Sequence, residues 1–230
     1  MTDPVAGINW GKIQLSKVDI PTADDMADRQ ERRSQKERSE SMQRRVLDAT
    51  LRCIGEQGYI GVSLQDIADA AGVSRGAITH HYASKMELTS AAIHYFVKWR
   101  YDKVYAAFEG KGELDLRGRL DLLWQQFQQV FPITFEIIVA LRSDKDLLAQ
   151  YKRTAPTGVE TIVTGYEEFF PELSGLKVSG VLIAVMAAFY RGACIEMIAR
   201  DPAYIEEMKA VFQDMLLKYL GLDAPEAKAG

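Results

Sequence analysis

Cysteine and histidine, on which metal sites and many active sites depend, are scarce in this chain. It has two cysteines, Cys53 and Cys194, and three histidines, and no histidine follows His94. No Cys-x-x-Cys pair or Cys/His cluster occurs, so we expect no metal, no redox site and no cofactor. Both cysteines lie in apolar helical patterns, which predicts buried free thiols.

Long uninterrupted apolar runs are also missing. The longest apolar stretch, residues 178–199, is broken by Gly180, Arg191, Gly192 and Glu196, which predicts a buried or interface helix instead of a membrane span. The first residues contain no continuous apolar segment, so we expect no secretory signal. These patterns predict a soluble cytoplasmic protein without a membrane partner.

Catalytic constellations are absent from the second half of the sequence. Its acidic pairs, such as Glu167-Glu168 and Glu206-Glu207, are adjacent in sequence and cannot both point into one cleft. We therefore expect that the chain is not an enzyme.

The charge is unevenly distributed, although the net charge is only −4. Residues 29–100 hold 12 Lys/Arg against 8 Asp/Glu, whereas residues 101–230 hold 14 against 19. A mildly basic front and an acidic remainder are typical of a polyanion-binding head on a body with another task.

The first 40 residues show no sustained apolar period, and we expect a flexible N-terminal arm there. Its basic residues either contact DNA as a basic arm or belong to an inert solvated tail, because glutamates dilute their charge. The basic residues in question are Arg32, Arg33, Lys36 and Arg38. Residues 223–230 are predicted to be a flexible tail.

Residues 63–85, SLQDIADAAGVSRGAITHHYASK, are the most informative segment. Two short helical patterns flank a Gly-Val turn, with Ser63 and Ser74 as expected N-caps and Gly72 as the expected left-handed C-cap. Ala68 is the small residue expected where the two helices cross. With an amphipathic helix over residues 42–57, this predicts a three-helix helix-turn-helix head.

Helical patterns continue to the C-terminus, and no alternating strand pattern appears, so the fold class is all-α. Ser84 is expected to cap a long helix over residues 85–108, Ser143 to cap a later helix, and Asp201-Pro202 to begin the last helix. Pro132 is expected to break or kink the chain after a helix over residues 116–130. Further helices are predicted over residues 133–141, 147–153, 159–170, 178–199 and 203–220.

The residues from 46 to 88 resemble the TetR family of bacterial transcriptional regulators. The resemblance rests on VLDAT and on GEQGYIGVSLQDIADAAGVSRGAITHHYASKMEL, which contain the glycine before the second helix, the IA-x-x-AGVS turn and the G-x-x-x-x-[HY]-[FY]-x-[ST]-K run. The sequence departs from the commonest family pattern over residues 77–80, where many members carry Thr-Leu-Tyr.

The resemblance implies a DNA-binding domain over residues 41–88 and a ligand-binding and dimerisation domain over residues 89–222, with about nine helices in all. It also implies a homodimer on a near-palindromic double-stranded operator. Phosphate contacts are expected from Ser63, Gln65 and Lys85, base contacts from Arg75, Ala77, Thr79 and His80, and backbone contacts from His81 and Tyr82. His81 is alternatively a packing residue. The implied DNA-binding set is Ser63, Gln65, Ser74, Arg75, Gly76, Ala77, Thr79, His80, His81, Tyr82 and Lys85.

Aromatic residues are concentrated on the middle helices, which predicts either a ligand cavity or an ordinary core. The ligand-binding candidates are Trp124, Gln128, Phe131, Phe135, Tyr166, Phe189 and Tyr190. Small residues on the penultimate helix and a broad apolar face on the last helix predict the dimer contact.

The sequence as a whole predicts a ligand-responsive DNA-binding regulator, most simply a repressor released by a small, partly apolar molecule. Two alternatives are a regulator that responds to no ligand or activates, and a helical binding protein or enzyme that carries a helix-turn-helix.

Overall fold

The computed structural model describes residues 35–109, 111, 114–154 and 169–222. These residues contain eight α-helices and one short 3-10 turn, and no strand occurs among them, which confirms the all-α prediction. The α-helices are α1 Gln35–Gly61, α2 Leu64–Ala71, α3 Arg75–His81, α4 Lys85–Phe108, α5 Leu116–Ser143, α6 Lys145–Thr154, α7 Ser179–Glu196 and α8 Pro202–Tyr219, with the 3-10 turn at Pro171–Leu173.

The predicted helix over residues 159–170 lies outside the described residues except for its last two, and so do residues 1–34 and the tail from residue 223. α1 begins at Gln35, within the segment whose composition predicts an arm. It loses helical geometry at Gly58, with φ 71° and ψ 157°, as the glycine at that position predicts.

Two helix boundaries differ from the sequence prediction. α5 runs as one helix through Pro132, so of the two effects predicted for this proline, a break or a kink, the break is wrong. A proline removes only one backbone donor, and the adjoining turns continue the helix on both sides. The cap of α6 is Asp144 and not Ser143, because the Asp144 carboxylate accepts from the amides of Asp146 and Leu147, both at 2.9 Å.

The described residues form two compact units. The head unit contains residues 35–102 and 130–154, and the body unit contains the described residues of 103–129 together with 169–222. The boundaries fall inside α4 and α5, so the compact head unit includes more than the three predicted helices. The functional division between residues 88 and 89 stays a prediction.

The head unit has two apolar clusters. One joins α1, α2 and α3 through Val46, Ile67 and Ile78, whose exposed fractions are 1% or less. The other joins α1 and α4 to the second half of α5 through Leu51, Phe96 and Ile133. Each fully buried large apolar side chain stabilises the fold by about 1.5–3 kcal/mol. The first cluster therefore stabilises the packing of α2 and α3 against α1.

Asp48 on α1 is a buried carboxylic acid in this apolar setting, with an exposed fraction of 2%. Burial raises the pKa of Asp48 to about 6, although Tyr95, Arg52 and Arg44 each lower it. By strict hydrogen-bond geometry, neither carboxyl oxygen of Asp48 has a partner among the described residues. The folded chain therefore binds a proton at Asp48 more tightly than the unfolded chain does.

This proton affinity makes stability depend on pH. Because the folded-state pKa is raised, the folded state is destabilised progressively as pH rises from about 4 to about 6, by up to about 3 kcal/mol. Asp48→Asn removes that loss and is expected to be more stable than the native chain at pH 8 and equally stable near pH 4. Denaturant unfolding at both pH values measures this difference. The exposed Glu56 on the same helix, changed to Gln, is the control, and equal stability of Asp48→Asn and the native chain at pH 8 would refute the account.

Candidate nucleic-acid interface

Local capping interactions fix the two helices of the candidate interface. Ser63 and Asp66 form a capping box at the start of α2: the Asp66 amide donates to the Ser63 hydroxyl oxygen at 3.2 Å, and the Ser63 amide donates to the Asp66 carboxylate at 2.8 Å. These hydrogen bonds lower the pKa of Asp66. α2 ends at Gly72, which adopts φ 62° and ψ 40° as predicted.

α3 begins at Ser74, whose hydroxyl accepts from the Ala77 amide at 3.1 Å, as predicted. Ile78 is the one fully buried side chain of α3, with an exposed fraction of 1%, and it packs beside Ala68 and Ala71 of α2. Ala68 is completely buried, which is consistent with its predicted place at the helix crossing.

The opposite side of α3 is exposed. Arg75, Gly76, Thr79 and His80 are exposed there, while Ala77 is half-buried. The Thr79 hydroxyl donates to the Gly76 carbonyl at 3.2 Å, so its oxygen is left as an acceptor on the surface. The surface of α3 therefore combines a guanidinium group, a hydroxyl oxygen and an imidazole, which suits contacts with base edges.

Two of the predicted phosphate-contact side chains already have partners. The Ser63 hydroxyl donates to Asp66 at 2.7 Å, and the Gln65 amide donates to Asp69 at 2.8 Å. The first backbone amides of a helix have no intrahelical acceptor, so the start of α2 still offers donors through its main chain.

Lys85 at the start of α4 is half-buried and held by the end of α1. Its ammonium donates to the Tyr59 carbonyl and lies 4.4 Å from the centroid of the Tyr59 ring. Burial lowers the pKa of Lys85. The Tyr59 hydroxyl in turn donates to Asp144 at 3.1 Å, and burial together with Asp144 raises the pKa of Tyr59 to about 12. An ammonium has three donors, so Lys85 can contact a phosphate while it holds Tyr59.

The end of α3 has a partner that the sequence did not indicate. The side-chain amide of Gln43 on α1 lies 2.9 Å from Nδ1 of His81. His81 is half-buried, and its ring lies edge-on to His80 with 5.0 Å between centroids. Tyr82 is half-buried and packs against the cluster of α1, α2 and α3. No sequence signal connects Gln43 to His81, because the two residues are 38 positions apart.

The ligand-binding candidates of the body unit pack together. Tyr190 is completely buried, donates to the Leu120 carbonyl at 2.9 Å, and has Trp124 and Phe189 within 5.6 Å between ring centroids. Phe189 also stacks on Phe212 at 3.9 Å. Gln128 is half-buried, and its amide lies 3.7 Å from the sulfur of Met197. Trp124 and Tyr190 are thus buried in this cluster, whereas Phe189 is half-buried at its side.

The other ligand-binding candidates lie elsewhere. Phe131 and Phe135 belong to the head unit, with 5.7 Å between their ring centroids, and Tyr166 lies outside the described residues. An open cleft of about 650 Å³ occurs in the body unit, but it is lined by charged and apolar residues at the ends of α5 and α8 and by none of the seven candidates. Among the described residues, no group of three or more His, Cys, Asp or Glu is placed to hold a metal ion.

The last two helices expose apolar side chains at helical spacing. We define the α7 stripe as Val181, Val185, Ala188 and Ile195, and the α8 stripe as Tyr204, Val211, Met215 and Tyr219. All eight side chains are exposed, with Val181, Met215 and Tyr219 at 63–66%. The opposite faces of both helices are buried through residues such as Met186 and Leu216. Two exposed apolar stripes in one unit are typical of a protein–protein interface.

Comparison with known proteins agrees with this arrangement. Residues 46–92 match the sequence model of the bacterial regulatory proteins of the tetR family. The chain is 31% identical over 131 residues to the HTH-type transcriptional regulator CymR of Pseudomonas putida, covering 54% of this chain and 62% of CymR. The chain thus spans less than two thirds of the curated relatives' own length.

Two solved structures share the fold. A transcriptional regulator from a Rhodococcus species is 22% identical, with a TM-score of 0.58 over 80% of this chain and 98% of the regulator. A regulator from Saccharomonospora viridis, solved in complex with choline, is 19% identical, with a TM-score of 0.55 over 78% of this chain and 97% of the other.

The relatives are named as transcriptional regulators, which supports the prediction that the chain is not an enzyme. Residues 46–92 thus match the tetR family of bacterial regulatory proteins, and the chain shares the all-helical fold of solved transcriptional regulators.

Proposed function

We propose that the chain is a cytoplasmic, sequence-specific DNA-binding repressor that acts as a homodimer and leaves its operator when a small, partly apolar molecule binds. The observation that carries this proposal is the orientation of α3. Ile78 is buried in the core of the head unit, and Arg75, Thr79 and His80 are exposed to solvent on α3. An α-helix presented in this way fits the major groove of B-DNA.

Each exposed group of α3 has a specific task on DNA. The Arg75 fork matches the O6 and N7 acceptors of guanine, and the Thr79 oxygen accepts from an adenine or cytosine amino group. His80 extends the contact surface toward the end of the helix. The amides at the start of α2, His81, Tyr82 and Lys85 position the head on phosphates without reading sequence.

The homodimer is supported by the α7 and α8 stripes. Packing them against their copies in a second subunit buries both stripes in one four-helix contact. Two heads then face two half-sites about 34–36 Å apart, which explains why a near-palindromic operator is expected. α7 is also long and apolar enough to cross a membrane by length and composition alone. We favour the subunit contact, because α8, which is not such a candidate span, also exposes large apolar side chains.

Release by a ligand is supported by one similar regulator that was solved with a small molecule and by the aromatic content of the body unit. The Saccharomonospora viridis regulator was solved with choline, a small cation with apolar methyl groups. In this chain a ligand that favours one conformation of the body changes the spacing of the heads and lowers operator affinity. A regulator that needs no ligand, or that activates transcription, is the second candidate. It is supported by the packing of the Trp124 and Phe189 rings against the Tyr190 ring.

A mobility-shift assay with the full chain on the promoter beside its own gene tests the proposal. We expect a shifted complex at nanomolar protein, and addition of the inducer is expected to release the DNA. A promoter that stays unbound at low salt would contradict the assignment as an autoregulated repressor.

Replacement of Arg75 by Ala is expected to weaken operator binding and to relax the preference at one base pair of each half-site. One bidentate arginine–guanine contact contributes about 1–3 kcal/mol of discrimination. Competition binding with operators changed at single base pairs measures the effect.

Lys85→Ala is the contrasting variant for that experiment. Because Lys85 lies beside Tyr59 and not on the exposed face of α3, its loss is expected to weaken all sequences equally. The slope of log affinity against log salt becomes shallower by about one. If Arg75→Ala and Lys85→Ala alter base preference equally, the assigned roles are wrong.

A further inference from the structure

The contact between Gln43 and His81 determines which ring nitrogen of His81 carries the proton. Gln43 presents its amide nitrogen to Nδ1 at 2.9 Å. With the Gln43 amide in this orientation, its nitrogen can only donate a hydrogen bond, so Nδ1 accepts it and carries no hydrogen. A neutral His81 therefore carries its hydrogen on Nε2.

This tautomer gives the end of α3 a hydrogen-bond donor. His81 is half-buried and its Nδ1 faces Gln43 on α1, so Nε2, on the opposite edge of the ring, is the nitrogen left for another partner. An Nε2–H group donates to a phosphate oxygen without an added proton. The other tautomer would present a lone pair to the phosphate, which repels it.

We propose that Gln43 is a positioning residue that locks His81 in the Nε2–H tautomer, so that the neutral imidazole donates to an operator phosphate. The inference rests on the proposed DNA-binding function and assigns a role to Gln43 on α1, which is not among the predicted DNA-contacting residues. Gln43 fixes both the ring orientation and its donor, as the second partner of a metal-bound or catalytic histidine does.

The tautomer is measurable without DNA. The chain has three histidines, so ¹⁵N-labelled histidine gives three ring systems, assigned with single replacements of His80 and His94. At pH 8 we expect the His81 Nδ1 to show the shift of a bare acceptor nitrogen and Nε2 that of an N–H. In Gln43→Ala both nitrogens move toward averaged shifts, and in Gln43→Glu the hydrogen moves to Nδ1, because a carboxylate only accepts. Gln57→Glu, on the exposed part of α1, is the matched control and leaves the His81 shifts unchanged.

A double-mutant cycle on operator DNA tests the consequence. Gln43→Ala is expected to lower affinity about three- to tenfold on every duplex, the range of one hydrogen bond to the phosphate backbone. The same change in a His81→Ala background is expected to have no effect. If His81 of the native chain carries its hydrogen on Nδ1, or if its two ring nitrogens show averaged shifts, then Gln43 does not fix the tautomer. A locked tautomer with additive effects in the cycle would overturn the phosphate role alone. Failure of every duplex to bind would reject the proposed function and leave the tautomer result standing.

Discussion

Val211→Glu combined with Met215→Glu is expected to convert the proposed dimer into a monomer with little operator affinity. Both side chains are more than half exposed on the α8 stripe, at 53% and 66%. In the proposed dimer they are buried, and a carboxylate buried without a partner is strongly unfavourable. A monomer binds only one half-site, so affinity falls by the avidity factor of about 10²–10⁴. Light scattering and a mobility-shift assay measure the two effects on one sample.

The matched control for this variant is Ala210→Glu. Ala210 is exposed on α8 next to Val211 but lies about 100° around the helix from it, off the stripe. This control is expected to stay dimeric and to bind DNA. A monomeric native chain at micromolar concentration, or a double variant that remains dimeric, would show that the stripes have another purpose.

Ile78→Ala is expected to lower the free energy of unfolding of the head by about 2–5 kcal/mol, the usual result of truncating a buried isoleucine. Ile78 is 1% exposed and is the only buried side chain that α3 places in the core. Without it, α3 has no buried side chain left in the apolar cluster that it shares with α2. DNA binding should be lost together with stability, because the exposed residues no longer share a fixed surface.

Denaturant unfolding followed by circular dichroism measures the loss, and hydrogen exchange of the α3 amides shows where it occurs. Ile78→Val keeps the β-branch and is expected to lower stability by only about 0.5–1.5 kcal/mol. If Ile78→Ala unfolds no more easily than Ile78→Val, then α3 is not anchored through this side chain.

The parts of the interface that sequence predicted correctly are set by neighbouring residues. Ser63, Gly72 and Ser74 act within five residues of their own position, through caps and a left-handed turn. Such interactions need no knowledge of the tertiary fold. Asp201 at the start of α8 is another example, because its carboxylate accepts from the Ala203 amide two residues later.

The parts that sequence did not predict depend on tertiary contacts or on fine geometry. The partners of Lys85 and His81 lie 26 and 38 residues away, and no local pattern links them. Ser143 and Asp144 are both suitable caps, and only the position of the carboxylate decides between them. Aromatic residues at helical spacing fit a core and a cavity equally well. Trp124 and Tyr190 pack as a core within the described residues. Their role in ligand binding stays a prediction.

We expect the full chain to recognise a two-fold-related DNA sequence through α3. Selection from a pool of random duplexes, followed by sequencing of the bound fraction, tests it directly. We expect enrichment of a near-palindrome whose half-sites lie about one helical turn apart, and a change at one position per half-site when Arg75→Ala is used. A bound pool that stays random, or a chain that retains no duplex at low salt, would contradict the claim.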